Sequence, residues 1–129
     1  MSNLNQLKLA FSTLFSPLND NDALISEFFT EDYVQWVDGK QIDRKGFQQH
    51  LTALKAKVES CDFQFLSLFS QDNQVHSTHI VTAYKRNKQT SRIKVIANIT
   101  FREGRICACE ELTYVLVGAN TDHNLGACR

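Results

Sequence analysis

The hydrophobic period of this chain changes at Cys61, and the change decides what the chain can fold into. Before it, apolar residues recur mostly every three or four positions; after it, as far as Val117, they alternate. The first spacing builds helices with one greasy face, and the second builds half-buried strands. Leu4, Leu7, Phe11, Leu14 and Leu18 mark a first helix, capped by Ser2 and ended by Pro17. After the polar turn Asn19-Asp20-Asn21, the group Leu24, Ile25, Phe28 and Phe29 marks a shorter second helix, with Asp20 or Asp22 as its cap. Tyr33 to Val37 is aromatic and β-branched and closes on Asp38-Gly39, which predicts a short strand. Asp43 then caps a third helix whose buried stripe is Phe47, Leu51, Leu54 and Val58.

Four strands follow, Asp62 to Phe69, Val75 to Lys85, Arg92 to Phe101 and Arg105 to Val117. The connections Gln71-Asp72-Asn73, Asn87-Lys88 and Glu103-Gly104 are short and polar, so consecutive strands pair as an antiparallel meander. Three helices ahead of a long sheet predict an α+β domain, a curved antiparallel sheet closed into a cone by helices on one face. With 129 residues the chain is read as a single domain, 1–129, in which 118–129 form a loose tail.

Charge and motifs narrow the function classes. Fourteen basic residues balance fourteen acidic ones, which removes the broad positive field that non-specific nucleic-acid or anionic-membrane binding needs. The amino-terminal residues lack a basic segment followed by an apolar stretch, so the expected location is cytoplasmic. Five scattered glycines supply no phosphate loop, and no G-x-S-x-G, H-E-x-x-H or C-x-x-C is present. Cys61, Cys107, Cys109 and Cys128 read as free thiols in a reducing compartment. Cys107 and Cys109, two apart on a strand, are expected on one face about 6.7 Å apart, at the outer limit for a disulfide. A second closely spaced ligand pair is missing, so neither a metal nor another cofactor is expected.

The stretches Phe28-Phe29-Thr30-Glu31-Asp32-Tyr33-Val34-Gln35-Trp36, Phe47-Gln48-Gln49-His50-Leu51 and Thr100-Phe101-Arg102-Glu103-Gly104-Arg105-Ile106, running on to Glu111-Leu112-Thr113-Tyr114, give nearly the whole chain a resemblance to the SnoaL-like members of the nuclear transport factor 2-like superfamily. That resemblance implies a helix-lined curved sheet around a ligand pocket, cofactor-independent chemistry in some relatives, and a homodimer. It also implies an acidic or polar pocket residue at Glu111 and aromatics at the pocket mouth, here Tyr33 and Trp36. Ala97 stands where isomerase relatives carry an acid, a departure that argues against a dienolate-stabilising mechanism.

Strand parity supplies the remaining candidates. Ile93, Val95, Ala97, Ile99 and Phe101 share one face of the third long strand and Arg92, Lys94, Asn98, Thr100 and Arg102 share the other, so the first set points inward. A three-residue Arg102-Glu103-Gly104 loop pairs Phe101 with Arg105 and Val95 with Glu111, which turns Glu111, Cys109 and Thr113 toward the cavity. A two-residue loop sends Glu110 inward instead. Through a two-residue Asn87-Lys88 turn, Tyr84, Thr82, Ile80, Thr78 and His76 point inward and His79 points out. His50, on the third helix, competes with His76 as a base.

An inward Glu111 among apolar walls would have its ionised form disfavoured by desolvation and would suit proton transfer. The expectation is a small, largely apolar ligand in the cone, with Glu111 as shuttle, His76 or Tyr84 orienting the ligand, and Tyr33, Trp36, His50, Thr82, Val95, Ala97, Cys109 and Thr113 lining the site. The reaction would be of isomerase, cyclase, hydratase or hydrolase type. The alternative is a non-catalytic binding or protein-interaction module. Ile96, Ile106, Ala108, Leu112, Tyr114 and Leu116 are expected on the outward side of the sheet, enough apolar surface to predict a homodimer through it.

Overall fold

A computed structural model describes residues 2–14 and 21–118. The expected end of the first helix at Pro17 and Leu18, the Asp20 cap, Cys128 and nearly all of the expected tail lie outside the described residues.

Helix α1 runs Asn3–Leu14 and buries Leu7, Ala10, Phe11 and Leu14. Ser2 caps it, its hydroxyl accepting from the Asn5 amide at 3.2 Å. Helix α2, Asn21–Phe28, passes directly into strand β1, Phe29–Val37. Phe29, expected to close the second helix, is instead the first residue of that strand. Asp38 (φ 50°) and Gly39 (φ 85°) are both left-handed and make the two-residue turn that folds β1 onto β2, Lys40–Asp43. No strand is expected there from the sequence, because four mostly polar residues show no alternation to detect. Asp43 caps α3, Arg44–Lys57, accepting from the Gly46 amide. Phe47, Leu51 and Leu54 are its buried stripe, while Val58 begins the next strand.

The long strands are β3 (Val58–Gln71), β4 (Gln74–Lys85), β5 (Thr90–Arg102) and β6 (Arg105–Val117). Together with the first hairpin they form one six-stranded sheet in the order β2-β1-β6-β5-β4-β3. The β3 to β6 meander is antiparallel as expected, but β1 pairs with β6 in parallel, so the sheet is mixed. The helices cover one face, where Ile93, Val95, Ala97, Ile99 and Phe101 meet Leu7, Phe11, Phe47 and Leu51 in a single core.

Two hairpins fix which side chains enter that core. Between β5 and β6, Glu103 (φ 52°) and Gly104 (φ 80°) form a two-residue turn and Arg102 pairs with Arg105. The ladder then slips: Phe101 opposes Ile106, but Thr100 opposes Ala108, leaving Cys107 as an extra residue. The two-residue loop reverses the parity and the bulge restores it. Glu111 therefore does point inward, but opposite Ala97 and not opposite Val95. The bulge also overturns the expected equivalence of Cys107 and Cys109, since only Cys109 is buried. Ile106, expected outside, is buried as well.

Between β4 and β5 the correction goes the other way. Lys85 and Gln89 close a three-residue loop in which Lys88 (φ 72°) is left-handed, and Tyr84 pairs with Thr90. One residue more than the assumed turn exchanges the faces of β4. Val75, Ser77, His79, Val81 and Ala83 face the core, while His76, Thr78, Ile80, Thr82 and Tyr84 face away from it.

Candidate functional site

The cone interior is walled by five elements. Helix α1 contributes Leu7 and Phe11, β1 contributes Phe29 and Tyr33, α3 contributes Phe47, β5 contributes Ile99, and β6 contributes Ile106, Cys109 and Glu111. Phe29, Tyr33 and Phe47 form a triangle of rings, their centroids 4.7, 4.9 and 5.3 Å apart. The cavity they enclose has a volume of about 20 Å³, room for a single water molecule.

Glu111 is the carboxylate in this wall, 5% exposed. The Cys109 thiol donates to its Oε1 at 3.1 Å. Two residues away on the same strand, Thr113 takes both oxygens of Asp38, one through its amide and one through its hydroxyl. The Asp38 amide in turn donates to the Glu111 carbonyl at 3.0 Å. The tight β1–β2 turn thereby clamps the segment that carries the acid. Beside it the Tyr33 hydroxyl donates to Gln35 Oε1 at 2.7 Å, and Gln35 Nε2 is buried without a hydrogen bond. In register, Ser77, Ala97, Glu111 and Val37 form one row across four inward faces. Ser77 and Ala97 share that row with the acid but do not line the cavity.

A second buried polar pair lies one row along. His79, with no exposed surface, shares a 2.7 Å hydrogen bond with Ser77 and stands among Phe11, Phe63 and Phe65. Desolvation there pulls its pKa from 6.5 down to about 4, so the ring is neutral near pH 7. Burial likewise pushes the Cys61 thiol up to about 12.

Of the residues singled out from the sequence, the structure brings Glu111, Cys109 and Tyr33 together at the cavity. Val95 and Ala97 are buried on the same face of the sheet, and Thr113 is held by Asp38. His50 is partly buried on α3 beside Leu51 and does not line the cavity. His76, Tyr84 and Thr82 are on the outer face for the parity reason given above; His76 stacks on the exposed Phe69 at 5.1 Å. Trp36 is outside too, because β1 turns Tyr33, Gln35 and Val37 inward and Trp36 away. Gln35, Ser77 and His79 are interior polar groups absent from the sequence candidates. Loop length is the signal that would have found the last two, and the Tyr33-x-Gln35-x-Val37 alternation would have found the first. Among the described residues no three His, Cys, Asp or Glu side chains converge to hold a metal ion, and no helix is long and apolar enough to cross a membrane.

This arrangement, a mixed curved sheet closed by three helices over an acid-bearing cavity, defines a nuclear transport factor 2-like fold. The chain belongs to the SnoaL-like domain family, whose pattern matches residues 11–109. An uncharacterised protein of Schizosaccharomyces pombe is 40% identical over 100 residues, spanning 78% of this chain and 77% of that protein. A candidate polyketide cyclase from Acidithiobacillus ferrooxidans superposes with a TM-score of 0.72 at 16% identity, covering 87% of this chain and 88% of that one. A candidate SnoaL-like polyketide cyclase from Jannaschia gives 0.71 at 9% identity, covering 86% and 84%. At these identities the superpositions show a shared fold only.

Proposed function

We propose that the cone binds a small, largely neutral organic molecule and that Glu111 exchanges a proton with it. The observation that carries this reading is the placement of Glu111: a carboxylate 5% exposed, in an apolar and aromatic wall, facing the cavity of about 20 Å³. Burying a carboxylate is unfavourable and is poorly explained by packing alone. The cavity as it stands admits water and nothing larger. A guest therefore occupies space now held by Leu7, Phe11 and Phe47, the wall residues that belong to helices packed on the sheet and not hydrogen-bonded into it. Tyr33, whose hydroxyl is oriented by Gln35, and Cys109 would contact the guest beside Glu111. Proton transfer at carbon, as in isomerase or cyclase chemistry, needs a positioned acid–base group and a donor for the enolate oxygen; with Ala97 in place of the acid of isomerase relatives, the Tyr33 hydroxyl is the donor that would serve. Candidate cyclases of the same fold are consistent with that class of reaction.

The test is hydrogen–deuterium exchange at the α-carbons of small cyclic ketones in D2O, followed by proton NMR. Catalysed exchange with the unmodified protein, lost roughly a hundredfold in Glu111→Gln, is the expected result. Exchange that survives Glu111→Gln in a protein of unchanged fold removes Glu111 from the role. A cavity this small also favours a second reading, a non-catalytic module in which Glu111 merely polarises one buried water; catalysed exchange at any level above background contradicts that reading.

A further inference from the structure

The amide of Gln35 is only half used. Strand β1 has β2 on one side and β6 on the other, and Gln35 stands in register between Ile42 and Cys109. It is 1% exposed, so bulk water reaches neither end of the amide. Oε1 accepts from the Tyr33 hydroxyl at 2.7 Å, while Nε2, with two hydrogens to give, is buried and makes no hydrogen bond. A buried donor without an acceptor is costly, and such a group points to another state of the site that uses it.

That state is one half-turn away. The last torsion of a glutamine is soft and two-fold, and rotation about it exchanges oxygen and nitrogen with little change of shape. Turned over, Nε2 donates to the Tyr33 oxygen across the same gap, since 2.7 Å suits a hydrogen bond in either direction. Tyr33 is a wall residue of the cavity, as are Cys109 and Glu111. Its hydrogen, no longer given to Gln35, then turns to an acceptor inside the cone.

We propose that a guest carbonyl drives this turn, and that Gln35 is thereby the positioning residue of the site and selects carbonyl compounds as its guests. The inference rests on the reading of the cone as a guest site with Glu111 as its base. With a ketone bound, the Gln35 N–H, the Tyr33 O–H and the guest C=O form a chain of donors running one way, in which each link strengthens the next. When Glu111 takes a proton from the carbon beside the carbonyl, the electron pair of that C–H bond becomes the enolate and the negative charge gathers on the guest oxygen. The aligned Tyr33 hydrogen meets the charge where it forms, and return of the proton from Glu111 to carbon closes the cycle. A guest of the same shape without the oxygen offers no acceptor, so Tyr33 goes on donating to Gln35.

The test compares two guests by proton–nitrogen NMR of the Gln35 side-chain amide: cyclohexanone, and methylenecyclohexane, which puts a CH2 where the ketone has its oxygen. With cyclohexanone one Nε2 proton is expected downfield of its position with methylenecyclohexane, and Tyr33→Phe is expected to abolish the difference. Gln35→Met, which keeps the length and loses the amide, is expected to slow hydrogen–deuterium exchange of cyclohexanone roughly tenfold while the half-saturating concentration stays within about threefold. Uptake of both guests with identical Gln35 protons, or an undiminished exchange rate in Gln35→Met, overturns this inference alone. A cone that takes up neither guest overturns it together with the guest reading. If the unmodified protein binds cyclohexanone and catalyses no exchange, Glu111 loses its role, and the amide comparison by itself decides that of Gln35.

Discussion

His79 shows how much a single interior side chain governs here. The folded chain holds its ring neutral down to about pH 4, whereas an unfolded chain protonates it near 6.5. Between those values the unfolded state binds the extra proton, so this contribution is fully present above about pH 6.5 and is lost as the pH falls toward 4. The 2.5-unit difference, 6.5 minus 4, corresponds to about 3 kcal/mol. Urea unfolding at pH 7 and pH 4 is expected to show that loss, and His79→Gln to remove most of the difference between the two pH values. A histidine variant with an undiminished pH dependence would assign the effect to carboxylates instead. A two-residue β4–β5 turn sends His79 outward, and the actual three-residue loop turns it in; its chemistry gives no warning, because a histidine fits either face of a half-buried strand. Glu111 was left in competition with Glu110, because the parity of β6 depends on a turn length and on the Cys107 bulge, and the local sequence reveals neither.

At the level of elements, helices were easier to read than strand faces. The stripes Leu7–Phe11–Leu14 and Phe47–Leu51–Leu54 recur with the helical period, and Ser2 and Asp43 cap where capping chemistry places them. Strand faces depend on loops, and one residue of loop inverts a whole strand. The β4–β5 loop holds three residues because Lys88 adopts a left-handed conformation that its side chain does not advertise. The β5–β6 turn has two residues, the alternative that by itself sends Glu110 inward, and the Cys107 bulge returns Glu111 to the interior. Gly104, at φ 80°, sits in open space where a Cβ meets nothing, so its requirement is purely conformational. Gly104→Ala is expected to destabilise the fold by about 1 kcal/mol, read as a lowered urea midpoint at unchanged slope. A change of slope would mean that the ladder itself had rearranged. The parallel β1–β6 pairing was not legible, since nothing local to Tyr33–Val37 specifies a partner some seventy residues away.

For the molecule as a whole, helices close one face of the sheet and leave Ile96, Leu112 and Tyr114 exposed on the other. Both functional proposals belong to the closed side, into which Glu111 points while its neighbour Glu110 points away. The account rests on the cone accepting a guest beside that acid, and backbone amide NMR during titration with cyclohexanone reports this most directly. The predicted result is saturable shifts at Phe47, Cys109 and Glu111 that disappear when Ile99→Phe fills the cavity. Shifts confined to Ile96, Leu112 and Tyr114, or no saturable shifts at all, would contradict it.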